Sequence, residues 1–232
     1  MTQARVQVIT TSEFHNVAQS AAAEDRLLEL VHGEVVEKMP TEAHGKLAAL
    51  IAYFLLAFIR PRGIRAHVGV EVRHEAPGDI YNSRLLDVSL RFSDAPPTAE
   101  GAVLQMPDLA VEIQSPTDRP HQMREKALYY LSKGAQMVWL VYAAALQVEI
   151  CTLDEENRLP QSFAGCTISR GWRGHRSASR VRWMRCGRRC VCLCIPGIGD
   201  SCTNEPTRVI LLMCAISYLF EFRTHFEIRS MH

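Results

Sequence analysis

The chain has 232 residues with 26 Lys+Arg and 25 Asp+Glu, for a net charge of +1. That length suits one ordinary domain with a sizeable core, or one domain with a long extension. The balance hides a split: residues 1–160 carry 15 basic against 21 acidic side chains, and residues 161–232 carry 11 against 4. Seven of the eight cysteines also lie in the second part, with Cys151 alone in the first. A disulfide-stapled secreted scaffold spreads its cysteines through the fold, and the start of the chain has no basic stretch leading into an apolar core. The chain is therefore expected to be cytoplasmic. The longest apolar runs, Leu47 to Ile59 and Val209 to Phe220, are shorter than the roughly 20 residues of a membrane span, so none is expected.

Thr11 or Ser12 is placed to cap a first helix running through Ala23, with Glu13 in its first turn. Leu27 to Val31 and Val35 to Lys38 read as a hairpin about His32 and Gly33, since glycine accepts the positive φ of a tight turn. After Pro40, Thr41 caps a second helix. Leu47, Leu50, Ile51, Phe54, Leu55 and Phe58 recur at helical spacing until Pro61.

His67 to Glu75 alternates, Val68, Val70 and Val72 against Glu71 and Arg73, which predicts a half-buried strand. Arg84 to Arg91 sets Leu86, Val88 and Leu90 against Leu85, Asp87 and Ser89. Asp108 to Gln114 sets Leu109, Val111 and Ile113 against Glu112 and Gln114. Residues 120 to 133 form a helix whose stripe Met123, Ala127, Tyr130 and Leu131 packs on the sheet, with Lys126 at its margin and Gly134 closing it. Met137 to Tyr142 and Leu146 to Cys151 add two strands. The fold class is thus α/β, a mixed sheet flanked by helices over residues 1–160.

Two acids on neighbouring strands suit phosphodiester hydrolysis. The reaction needs charge neutralisation at the phosphate, an activated water and a stabilised leaving oxygen, and carboxylate-held Mg²⁺ supplies all three. Asp87 and Glu112 each project from a strand whose alternate positions are apolar. The backbone carbonyl of Ile113 is available to complete an oxygen shell, Lys126 has a stem long enough to reach the same phosphate, and Gln114 is placed to orient a water. Taken singly, each acid has a plainer reading as a solvated side chain. The order strand-Asp, strand-Glu-x-Gln, helix-Lys is more selective.

The stretch VEIQSPTDRPHQMREKALYYLSKGAQMVWLV (Val111 to Val141) resembles the E-[VI]-x-S-P-[ST]-D, K-x-x-x-Y, G-x-x-x-V-W-x-V signature of the Uma-type restriction endonucleases, a bacterial family of the PD-(D/E)XK nuclease superfamily. LLELVHGEVVEKMPTEAHGKLAALIAYFL (Leu27 to Leu55) is similar to its E-L-[IV]-x-G-E segment followed by a histidine near a helix start. RLLDVSLR (Arg84 to Arg91) is similar to its R-x-P-D-V strand. Together these cover about residues 10 to 155 in order.

The resemblance implies a PD-(D/E)XK core that cuts DNA with Mg²⁺, or Mn²⁺ in its place. It makes Asp87 and Glu112 the metal-binding carboxylates and Lys126 the lysine moved onto the helix, because Gln114 stands where the superfamily usually has lysine. Glu34 matches a position read as a supporting carboxylate, and His44 one that contacts phosphate or caps the helix. Arg60, Arg62, Arg65, Arg73, Arg84 and Arg91 are candidates for DNA contact, with a solvated rim as the plainer alternative. Cutting both strands usually takes two active centres, which favours a homodimer. Leu86 stands in place of the family's proline, and Tyr142-Ala143 in place of its Asp-Pro turn.

From about Gln161 the likeness ends. Arg170 to Cys194 is rich in Arg, Cys and Trp, without Lys, Asp or Glu, and reads as translation in a shifted frame, which predicts a poorly ordered extension. A zinc site from Cys186, Cys190, Cys192, Cys194 and His175 lacks paired C-x₂-C spacing. A basic DNA-binding arm is a further reading of the same segment. Two alternatives to an active nuclease remain open on sequence: an inactive nucleic-acid-binding or assembly module, and a decayed gene product.

Overall fold

A computed structural model of the chain describes residues 8–145 and 147–153 in full, and the backbone of 164–167, 182–186 and 190–194. The zinc reading, the basic-arm reading and the Val209 to Phe220 run lie outside the described side chains.

Helix α1 (Thr11–Ala22) starts one residue earlier than expected: Thr10 is its cap, exchanging hydrogen bonds with Glu13 in a capping box. Strands β1 (Leu27–Val31) and β2 (Glu34–Lys38) form the anticipated hairpin. His32 and Gly33, with φ of 52° and 83°, supply the two left-handed positions of its turn. This hairpin stands apart from the main sheet and docks on it through a reciprocal backbone pair between Leu30 and Ser83, 2.9 Å in each direction. That contact fixes where β1 and β2 carry their polar side chains.

Helix α2 (Glu42–Ile59) is capped by Thr41, whose Oγ1 accepts the His44 backbone N–H. Arg60–Arg62 makes a 3₁₀ turn, and Gly63, at φ 63°, ends it. Ala48, Ile51, Ala52, Leu55 and Ile59 form one stripe on the sheet. α2 and its 3₁₀ extension are long and apolar enough to cross a membrane by length and composition, but that stripe is core.

The main sheet contains β3 (Ala66–His74), β4 (Arg84–Phe92), β5 (Leu109–Ile113), β6 (Met137–Tyr142), β7 (Gln147–Thr152) and β8 (Ala164–Thr167), side by side in that order. Only the β5–β6 pair is parallel. Helix α3 (Pro120–Ser132) supplies the crossover between these two strands, as parallel neighbours require. α2 covers one face, over Val88, Leu109, Val111, Ile113, Trp139 and Ile150. α3 covers the other with the predicted stripe Met123, Ala127, Tyr130 and Leu131, over Ala110, Val138 and Leu140. β5 and β6 are therefore buried throughout, and β4 over all but its last two residues. A second hairpin pairs β9 (Arg182–Cys186) with β10 (Cys190–Cys194).

β3 departs from simple alternation. Glu71 takes a left-handed φ of 53°, and its partner position on β4 is missing from an otherwise continuous ladder. His74 pairs with Arg84, yet its Nε2 lies 3.1 Å from Ser89 Oγ, five residues further along β4. In a flat ladder that offset is about 17 Å. The β3–β4 ribbon therefore bends sharply at Glu71. Gly69 sits inside the bend, where an added Cβ would lie 2.3 Å from Val72 Cγ2. Because the branched valine has little χ1 freedom, Gly69→Ala is expected to cost about 1–3 kcal/mol. Val72→Ala in the same chain should recover part of this, measured as a shift in the urea midpoint.

The same bend buries His74, whose ring nitrogens meet the Gln105 carbonyl and Ser89 Oγ. Burial holds its pKa below the ordinary histidine value, with Arg91 adding to the effect and the Gln105 carbonyl opposing it. Between the folded value and about 6.5, the unfolded chain binds more protons than the folded one. This contribution to stability is present above pH 6.5 and is lost as pH falls below it. Urea midpoints at pH 7 and pH 5 should therefore differ more for the natural chain than for His74→Gln.

Candidate active site

The β4–β5 ladder runs from Leu90↔Leu109 to Val88↔Val111 and ends there. The next positions along the two strands, Asp87 and Glu112, lie beyond the last paired residues, where the strands part. The backbone N–H of Ile113 has no ladder partner on β4 at this point and donates instead to Asp87 Oδ2 at 2.7 Å. Both acids are 1% exposed, so the bland expectation of solvated surface acids does not hold.

Each carboxylate is surrounded by donors. On Asp87, Oδ1 accepts from Lys38 Nζ at 2.5 Å, and Oδ2 lies 3.0 Å from His44 Nε2. Burial pushes the Asp87 carboxyl up, but His44 and Lys38 together hold it well below the usual carboxylate range. His44 is raised in turn, chiefly by its bond to Asp87. On Glu112, Oε2 accepts from Lys126 Nζ at 2.9 Å and Oε1 from the Tyr130 hydroxyl at 2.8 Å. Burial opposes the charge on Lys126, but Glu112 and Glu29 outweigh it and raise its pKa.

The predicted residues divide cleanly. Asp87, Glu112, Lys126 and His44 are brought together, and His44 both takes part in the helix cap and reaches Asp87. Ile113 contributes its N–H to Asp87, while its side chain packs in the α2-facing core. Gln114 makes its side-chain hydrogen bond elsewhere: its Nε2 donates to the Asp118 carbonyl at 3.0 Å and braces the turn before α3. Glu34 is exposed on β2 and makes no polar contact with the acidic pair. The buried acid of the hairpin is Glu29, whose Oε1 accepts the Leu85 N–H at 2.7 Å.

The arginines expected at DNA are not gathered around the acidic pair. Arg60 and Arg62 follow the C-terminus of α2, about 24 Å along the helix from His44 by its rise per residue. Arg62 lies over the Phe58 ring. Arg73 donates to the Leu28 carbonyl and Ser83 and lies over Phe14, tying the hairpin to β3. Arg84 is 4% exposed, beneath the rings of Tyr129 and Tyr130, with its Nε unpartnered. Arg65 pairs with Asp94 on the surface. Arg73 and Arg84 thus brace the centre from within the fold, Arg84 buried and Arg73 half-buried.

Sequence reasoning missed Lys38, Glu29 and Tyr130 as parts of the site. Two of them left a signal. Tyr130 follows Lys126 by four residues, so both lie on one helical face. Glu29 is an acid in the middle of the apolar strand LLELV, whose central three residues are all buried. Lys38, at the end of an exposed strand, gives no such cue.

The helix-covered mixed sheet with an acidic pair where two strands part defines a restriction-endonuclease-like α/β core. The chain belongs to the Uma2 family, described as "Putative restriction endonuclease", whose model matches residues 11–171. Among solved structures it is similar to a protein from Anabaena variabilis described as a putative nuclease belonging to DUF820. The two are 23% identical, the match covers 69% of this chain and 85% of that one, and the TM-score is 0.55, a likeness in fold. No curated protein matches the chain.

Proposed function

We propose that the protein is a Mg²⁺-dependent endonuclease that hydrolyses phosphodiester bonds in DNA. The observation that carries this reading is the buried Asp87–Glu112 pair at the parting of β4 and β5, with Lys126 against it. Among the described residues, no three His, Cys, Asp or Glu side chains are grouped to hold a metal. Two carboxylates are nonetheless a fitting donor set for Mg²⁺, which commonly keeps several waters and binds one or two carboxylates together with substrate phosphate. Hard oxygen donors and the absence of thiolates among the assembled groups also favour Mg²⁺ or Mn²⁺ over softer metals.

Asp87 and Glu112 would hold the ion, which when bound supplies Lewis-acid polarisation of the phosphate and a more acidic water. The protein's own groups do the positioning. Ile113 N–H and His44 fix the rotamer of Asp87, and Tyr130 fixes that of Glu112. Lys126 brings a compact, permanently charged ammonium to the side of Glu112, where a phosphate oxygen gaining negative charge is stabilised. Burial makes each of these contacts stronger than it is in water.

The decisive assay is nicking of supercoiled plasmid by the full chain with Mg²⁺. Cleavage that stops in excess chelator and returns with added Mg²⁺ supports the reading. Undiminished cleavage in chelator overturns the metal mechanism, and DNA binding without cleavage supports an inactive binding module instead.

A further inference from the structure

Lys38 is bound by the kind of oxygen set that a hard cation selects. Its Nζ donates to Asp87 Oδ1 at 2.5 Å and to the Leu85 carbonyl at 2.7 Å, and the side chain is only 13% exposed. It does not arrive there by chance rotation of a long surface side chain. The Leu30–Ser83 backbone pair fastens the hairpin to the start of β4, and the Glu29 carboxylate fixes Leu85 through its N–H. Burial opposes the Lys38 charge, while Glu112, then Asp87 and Glu29, outweigh it and raise its pKa. The ammonium is therefore drawn to both members of the acidic pair, whereas Lys126 is hydrogen-bonded to Glu112 alone.

We propose that the Lys38 ammonium lies where a divalent cation binds at Asp87 and Glu112, so that the cation enters by exchange with Lys38. The inference rests on the metal-centre reading above. Two like charges crowded against the same buried carboxylate repel strongly, so ion and ammonium do not share Asp87 Oδ1. Lys38 then acts as a resident counter-ion: it keeps the buried acids compensated and sets the cation concentration at which the centre loads. Leu85, whose carbonyl Lys38 releases on exchange, becomes an additional oxygen available to the ion. A merely structural salt bridge predicts the opposite response, since removing it would disorder the acids and weaken cation binding.

The test is Mn²⁺ binding to the full chain, read by electron paramagnetic resonance of the free ion, for the natural protein and for Lys38→Met, Lys38→Gln and Asp87→Asn. Exchange predicts at least tenfold tighter binding for both Lys38 variants and loss of binding for Asp87→Asn. Equal or weaker binding in folded Lys38 variants, with Asp87→Asn still impaired, overturns the exchange and leaves the metal centre standing. Binding indifferent to Asp87→Asn in every background overturns both. A second measurement needs no variant. The chain has four lysines, Lys38, Lys46, Lys126 and Lys133, so acylation of each is readily followed by mass spectrometry. Saturating Mn²⁺ should raise labelling of Lys38 severalfold while exposed Lys46 is unchanged. Labelling of Lys38 that does not rise with Mn²⁺ counts against the proposal.

Discussion

Asp87→Asn is expected to reduce plasmid nicking in Mg²⁺ by about 10³-fold and to lose part of the stability that Asp87→Ala loses, since it too leaves Lys38 and His44 without the carboxylate charge. The amide keeps the volume of the carboxylate and one oxygen for the Ile113 N–H, but it loses the charge that a divalent ion needs. Asp87→Ala should lose activity to the same degree and more of the stability. Lys38 and His44 both face this carboxylate from largely buried positions. Removing one member of a buried charged cluster leaves the others uncompensated, a cost of about 3–5 kcal/mol. Nicking rate and thermal melt measured together separate the two effects. A folded Asp87→Asn protein that cuts at the natural rate removes Asp87 from the chemistry.

The second large effect is at Lys126. Lys126→Met should lower cleavage by about 10²- to 10³-fold, because a preorganised charge beside the developing negative oxygen is lost. Binding of duplex DNA should change little, since one half-buried ammonium already paired with Glu112 contributes little to the long-range attraction of the backbone. Tyr130→Phe removes the other donor to Glu112 and leaves the lysine in place. Its expected cost is mainly in stability, about 1–3 kcal/mol for one buried acceptor left short of a partner. If Tyr130→Phe impairs cleavage as severely as Lys126→Met, orientation of Glu112 rather than the lysine's charge governs the rate.

Much of this architecture is legible in the residues alone. Helix caps, the stripes of α2 and α3, and the alternation of Leu109, Val111 and Ile113 about Glu112 are local patterns, whereas Leu86, expected on one face with Val88 and Leu90, packs in the α3-side cluster instead. Partnership is not local. Whether an arginine in a strand faces DNA or the interior depends on which elements pack beside it. Arg84 is buried beneath α3, and Arg73 is half-buried against the hairpin. Glu29 and Glu34 lie on one hairpin, and although Glu29 stands within an apolar strand, what it meets is set by the Leu30–Ser83 docking contact, which brings its carboxylate to the Leu85 N–H. Gln114 sits two residues from Glu112 on the expected face, yet the tight turn to α3 takes its amide. The bend at Glu71 had no signal, since glutamate is not a residue that marks a left-handed position.

The acidic pair and its partners come from β1, β2, α2, β4, β5 and α3, segments spread over residues 29 to 130. No short stretch of the chain holds even a rudimentary version of the centre. A polypeptide still emerging from the ribosome, a proteolytic fragment or a locally unfolded molecule therefore lacks the assembled centre on which the proposed cleavage depends. Under the proposed function, competence to hydrolyse DNA would arrive only with completion of the tertiary structure.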